Sequence, residues 1–238
     1  MNVSRVKMMK AMLAVWNDLD ETVLNDYESW YQTEHLPERL AIAGFEAGVR
    51  AESIPSAGGA YPSPRFMTFY ELTSIEVLEQ VRYRQALQSP TPRTQAIMPY
   101  FRNMWRAAAE LRAVGGLACS GAWIVSVRVE SERLQFWIDQ LLERPPERAC
   151  RWRAYQCPQP GDPLQASPEA RFRATPDQTP GAFLLIEHLR QPDADQTLRE
   201  WVGPRVEASS TMRRDPGTTK VDLFVELARL DSRNLGIR

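Results

Sequence analysis

The stretch AMLAVWNDLDETVLNDYESWYQTEH, Ala11–His35, decides how the chain folds. Its first six residues, Ala11 to Trp16, form a short apolar run of strand length, closed by the polar cluster Asn17, Asp18 and Asp20. From Glu21 the period changes: Val23, Tyr27, Trp30 and Tyr31 recur at helical spacing, with Asp20 placed to cap the first turn and Pro37 limiting the helix. A strand leads directly into an amphipathic helix. Outward from this pair, Gly44–Ser53 and Arg65–Leu72 read as strands joined by a linker with Gly58, Gly59, Pro62 and Pro64. Ser74 opens a second helix to about Leu87, Pro90 and Pro92 break it, and Tyr100–Leu111 reads as a fourth strand.

The remainder repeats this order. Strand Ala122–Val129, helix Ser131–Glu143, strands Cys150–Cys157 and Ala182–Leu189, a helix from about Asp193 to Glu207 and strand Lys220–Leu230 follow in turn. The Pro-rich stretch Pro158–Pro180 reads as a long solvated loop. Residue spacing also points to duplication. Trp16 and Trp30 are matched by Trp123 and Trp137 at a spacing of 107; Glu34, Pro37, Glu38 and Arg39 by Glu143, Pro146, Glu147 and Arg148 at 109; Glu71 and Glu110 by Glu187 and Glu226 at 116. The fold class is therefore α+β, with two β-α-β-β-α-β units at residues 1–114 and 115–238. Each such unit leaves one sheet face bare, so the two are expected to pack sheet to sheet with the helices outside.

Composition narrows the function classes. Hydrophobic residues at 43% and charged residues at 25% are ordinary globular values. A formal net charge of -1 gives no field for nucleic acid or an anionic membrane, and no apolar stretch approaches a span. The basic N-terminus, Met1–Lys10, is not followed by a signal core. Cys119, Cys150 and Cys157 lack the close pairing of a zinc site or disulfide framework and read as thiols of a reducing, cytoplasmic compartment. With two histidines and no cysteine cluster, no multi-histidine metal site is expected, and no phosphate loop or nucleophile elbow is present.

On the first helix, at 100° per residue, Glu34 falls near the centre of the face defined by Val23, Tyr27, Trp30 and Tyr31, with His35 on its flank. A carboxylate and an imidazole at a helix–sheet interface are a candidate acid–base pair, His35 and Glu34, with Tyr27, Trp30 and Tyr31 as an apolar wall. The competing reading is a helix end that favours histidine through its dipole, with the aromatics filling core. The second half has Glu143 followed by Arg144 and Pro145, so only the first half can carry imidazole chemistry, while His188 reads as a satisfied or exposed ring.

The run from Tyr27 through Leu40, YESWYQTEHLPERL, followed by Ala43-Gly44-Phe45, resembles the first helix and turn of EthD-like proteins of the dimeric α+β barrel superfamily. That resemblance implies ferredoxin-like units paired through their sheets as an internal dimeric α+β barrel. It also implies a cofactor-free pocket between helix and sheet, used for cyclisation, dehydration, isomerisation or oxygenation of hydrophobic substrates. By the same resemblance His35 holds the position of a pocket imidazole, with Glu34 beside it and Tyr31 one turn back. Three functions stay open: a small-molecule enzyme using His35 for proton transfer, a binding or assembly module without chemistry, and, more weakly, haem handling through His35. Further homo-oligomerisation is also left open.

Overall fold

The computed structural model describes residues 10–55, 59–117, 119–158, 168–173, 175–211 and 219–235. The basic N-terminal residues 1–9, Gly58 of the first linker and residues 159–167 of the Pro-rich stretch lie outside them. Eight strands form: β1 (Ala11–Leu19), β2 (Phe45–Ser53), β3 (Phe66–Leu72), β4 (Phe101–Gly116), β5 (Trp123–Val129), β6 (Ala149–Gln156), β7 (Ala182–His188) and β8 (Lys220–Asp231). The main helices are α1 (Leu24–Trp30), α2 (Leu36–Leu40), α3 (Val81–Gln88), α4 (Pro92–Ile97), α5 (Leu134–Glu143), α6 (Gln191–Gln196) and α7 (Gly203–Thr211). Among the described residues no helix is long and apolar enough to cross a membrane.

The strands close into one antiparallel barrel in the order β1-β3-β2-β8-β5-β7-β6-β4, with β4 returning to β1. The closed barrel agrees with the α+β barrel that the resemblance implied, and its single continuous ladder replaces the picture of two stacked sheets. Two long strands make the difference. The first part of β4 pairs with β1 and its last residues, Glu110–Gly116, pair with β6; β8 likewise pairs with β5 and then, through Phe224–Asp231, with β2. Edges that two separate sheets would leave unpaired are thereby hydrogen-bonded, which removes the exposed templates that open sheets must otherwise protect.

Side-chain alternation sorts the apolar residues into three cores. Met12, Ala14 and Trp16 of β1 point into the barrel with Val49, Met67, Phe69, Phe183, Leu185 and Phe224. Ala11, Leu13 and Val15 point the other way, under α1–α4. The second helical layer covers Val125, Val127, Leu184 and Ile186. Burial of the bare faces was therefore correctly expected, although through a shared barrel interior.

Ladder register tests the duplication spacings individually. Glu71 stands opposite Met12 and Ala47, while Glu187 stands opposite Ile124 and Arg151, so these two glutamates hold corresponding places. The Trp16–Trp123 match does not survive: Trp16 lies in the barrel interior, whereas Trp123 packs against the second helical layer.

One interior feature was not anticipated. Arg153 of β6 donates to Glu71 and to Glu187, 2.8 Å each, while Arg151 holds Glu187 through two bonds of 2.9 Å. All four groups sit at one end of the barrel. They are mostly buried, and buried charges persist only when paired and hydrogen-bonded in this way.

Candidate functional site

The helix that carries the candidate site does not stop at Pro37. It runs as a 3-10 turn (Glu21–Val23), α1, a π-helical turn (Tyr31–His35) and α2. Asp20 caps it as expected, accepting from the Thr22 N–H at 3.1 Å. In the π turn the Leu36 N–H bonds back to Tyr31, five residues earlier, which inserts an extra residue into the helical phase. A proline lacking an N–H is accommodated just beyond it. The chain then turns at Gly44, whose φ of +97° suits glycine, and a Cβ there would lie 2.5 Å from the Val77 side chain.

That inserted residue redistributes the expected pair. His35 turns inward and is 6% exposed. Glu34 does not join it. The carboxylate swings to the flank and accepts from the hydroxyl of Thr91, the N-cap of α4. The uniform 100° step placed Glu34 at the centre of the buried face; the wider turn overrides that step, so Glu34 is no partner for a proton relay with His35.

Beside His35 lies a small chamber of about 40 Å³ between the helical layer and the sheet. Leu13 and Val15 of β1, Tyr70 of β3, and Met104 and Arg106 of β4 form its floor, while Tyr31, His35 and Arg39 descend from the helix above. Tyr31 is thus a wall residue. Trp30 and Tyr27 stand behind it. The Trp30 ring packs 4.3 Å from the imidazole and its Nε1 donates to Thr94 at 3.1 Å, and Tyr27 is fully buried against Tyr31, Phe66 and Phe101. Both orient the site without lining it.

The remaining walls were missed from the sequence. Tyr83 and Leu87 come from α3, and Glu169 and Arg173 from the second half of the chain. The Pro-rich stretch, expected to be solvated, instead lays a short 3-10 helix (Pro168–Phe172) over the chamber. Glu169 accepts from Arg39 at 2.7 Å, Arg173 forms a bidentate pair with Asp177 at 2.7 and 2.5 Å, and Gln178 exchanges backbone bonds with Met104 and Arg106. Three guanidiniums thus face one carboxylate around the space.

Burial is the main force lowering the His35 pKa well below its usual value, and the positive charges of Arg39, Arg173 and Arg50 add to it. The ring is therefore neutral near pH 7, and its Nδ1 has no hydrogen-bond partner among the described residues. Burial also pushes the phenols of Tyr31 and Tyr70 upward, so both are protonated. The Tyr70 hydroxyl is likewise unpartnered. An acceptor and a hydroxyl with unused bonding capacity, set among cationic groups, can take a proton from a bound molecule and hold the resulting anion.

Organic ligands of drug size occupy roughly 300–1,000 Å³, so neither a porphyrin nor a multi-ring substrate fits this chamber unless a wall moves. In the second half, His188 is fully buried, which removes the exposed alternative, and burial lowers its pKa. Cys150 and Cys157 are buried free thiols, and Cys119 is exposed. Among the described residues no group of three or more His, Cys, Asp or Glu is placed to hold a metal ion.

No protein-family model matches the chain, and no curated protein sequence matches it. Solved structures do. An anthrone oxidase-like protein superposes with a TM-score of 0.61 at 8% identity, covering 93% of this chain and 92% of the other. A putative monooxygenase from Fusobacterium nucleatum subsp. nucleatum superposes with a TM-score of 0.50 at 8% identity, covering 93% and 94%. At such identity the likeness is one of fold. The chain shares the fold of these structures, which here is a closed eight-stranded antiparallel barrel flanked by helices within a single polypeptide.

Proposed function

We propose that this chain is a cofactor-independent small-molecule enzyme of oxygenase type, acting on a hydrophobic substrate with an acidic C–H or phenolic O–H. The observation that carries this reading is the neutral, buried imidazole of His35, its Nδ1 unpartnered, on the wall of a chamber ringed by Arg39, Arg106 and Arg173. In the proposed step His35 accepts the proton, and the guanidiniums stabilise the enolate or phenolate left behind. Such an electron-rich anion reacts with dioxygen directly; for a methylene beside an aromatic ketone the balance is CH2 + O2 → C=O + H2O. The name of the anthrone oxidase-like neighbour suggests that substrate class for a first trial.

The architecture we propose is a fused pair of ferredoxin-like units, residues 1–114 and 115–238, of EthD-like type. The twice-repeated element order and the corresponding places of Glu71 and Glu187 support it. Only the first unit carries the imidazole. The site also draws Glu169 and Arg173 from the second, which gives fusion a role in building it.

The test is oxygen uptake and product formation with a panel of anthrones under air. Wild type turns over at least one of them, and His35→Ala loses about 10²–10⁴-fold while keeping its far-ultraviolet circular dichroism. Undiminished turnover in His35→Ala refutes the reading.

A further inference from the structure

The chamber is too small for the substrate just proposed, so a wall must move, and the walls differ in how they are held. Its floor is barrel ladder. The covering segment is attached mainly by side chains, Glu169 to Arg39, Arg171 to the Gln88 carbonyl at 2.9 Å, Arg173 to Met98 and Phe172 against the core, with one backbone bridge from Gln178 to β4. Lifting the 3-10 helix Pro168–Phe172 therefore carries away the one carboxylate on the chamber wall. Arg39 is 2% exposed, and it would keep only Glu38, 3.7 Å away and itself partly in water. Its Nη1 already has no hydrogen bond, as have the Tyr70 hydroxyl and His35 Nδ1 on the same wall. A buried guanidinium stripped of its partner is strongly unfavourable, so the cover opens at least cost for a ligand that brings an acid group of its own.

We propose that the ligand of this chamber is a small hydrophobic acid, whose carboxylate replaces Glu169 on Arg39 as the covering helix lifts. The proposal rests on the functional reading above for the location of the site and adds the chemical class of what enters. Glu169 acts as an internal stand-in for the ligand's acid, holding the site shut until one arrives. An Arg–carboxylate fork supplies both charge and geometry, which an ester of the same shape cannot reproduce.

The test compares 2-naphthoate with methyl 2-naphthoate by titration calorimetry on the full chain, in wild type, Glu169→Gln and Arg39→Met. The wild type binds the acid at least about tenfold more tightly than the ester; Glu169→Gln widens that ratio, and Arg39→Met abolishes it. Equal affinities for acid and ester in wild type, or weaker acid binding in Glu169→Gln, overturn the proposal, and neither outcome depends on the buried Arg39 variant folding. Binding separates this inference from the functional one: anthrone turnover without acid preference refutes only the acid-exchange cover, and acid preference without any turnover refutes only the catalytic reading.

Discussion

Replacing Arg153 by Met tests what holds the barrel end together. The guanidinium joins Glu71 of β3 to Glu187 of β7, 2.8 Å to each, so the substitution removes the side chain that hydrogen-bonds to both of these corresponding strands. Glu187 retains its two bonds from Arg151, but Glu71 is left with Arg151 at 3.7 Å and Arg229 at 4.0 Å. Stranding a buried carboxylate in this way costs about 3–5 kcal/mol, which for a chain of this size corresponds to a fall in Tm of roughly 6–20 °C. The loss also depends on pH. Burial acts to raise the Glu187 pKa, but Arg153, Arg151 and the Gly121 N–H more than offset it and leave the group below its ordinary value. In wild type its stabilising contribution is thus present above the usual carboxylate range and is lost as pH falls through the depressed folded value. Without Arg153 the Glu187 carboxylate takes up a proton in the folded state more readily, so the gap between variant and wild type narrows on acidification. Urea denaturation followed by tryptophan fluorescence at about pH 7 and about pH 4 measures both effects. A loss under about 1 kcal/mol at neutral pH, or a gap that widens in acid, refutes this account of the barrel end.

Glu34→Gln leaves turnover within a few-fold of wild type and costs about 1 kcal/mol, because its carboxylate serves Thr91 and not the chamber; activity assays and Tm check both, and a loss matching that of His35→Ala contradicts the placement. Arg50→Lys loses about 2 kcal/mol by denaturation, since lysine cannot reproduce the fork to Glu28 at 2.8 and 2.8 Å or the stacking 4.5 Å above Tyr31. For His35 the folded pKa is depressed, so the unfolded chain binds the proton first and stability declines as pH drops below the ordinary value of 6.5. His35→Gln flattens that slope between about pH 6.5 and about pH 5 in a series of denaturation curves; an unchanged slope counts against a buried neutral ring.

Element order was legible because each element carries its own punctuation: the apolar run closed by Asn17 and Asp18, the Asp20 cap, and the proline breaks before β4. Barrel closure was implied by the resemblance that Tyr27–Leu40 carries, not by the strand patterning. It depends on β4 and β8 continuing past their first partners, and a strand's length does not reveal which strand receives its second half. The helical face failed at one place, Tyr31–His35, where a π turn exchanges Glu34 for His35. Periodicity assumes a uniform turn, and Pro37, just past the π turn, was the one local signal of a change in it. In β6 the alternation Cys150-Arg151-Trp152-Arg153-Ala154-Tyr155 is what a half-exposed strand would show, yet its arginines point into the barrel toward glutamates from distant strands. Long-range pairing of this kind leaves no local trace. The covering segment was hidden for a related reason: Glu169 and Arg173 lie in a proline-rich context typical of surface loops, and their burial comes from contact with Arg39 and Met98 on the opposite half.

The central claim is a neutral His35 imidazole enclosed in the chamber, and titration of the histidine Cε1–H resonances by NMR tests it most directly. The chain has two histidines, so a His188→Gln variant leaves His35 as the sole signal. The account predicts that this signal keeps the chemical shift of a neutral ring as pH is lowered through 6.5, moving only well below that value. A midpoint at or above 6.5 would contradict it.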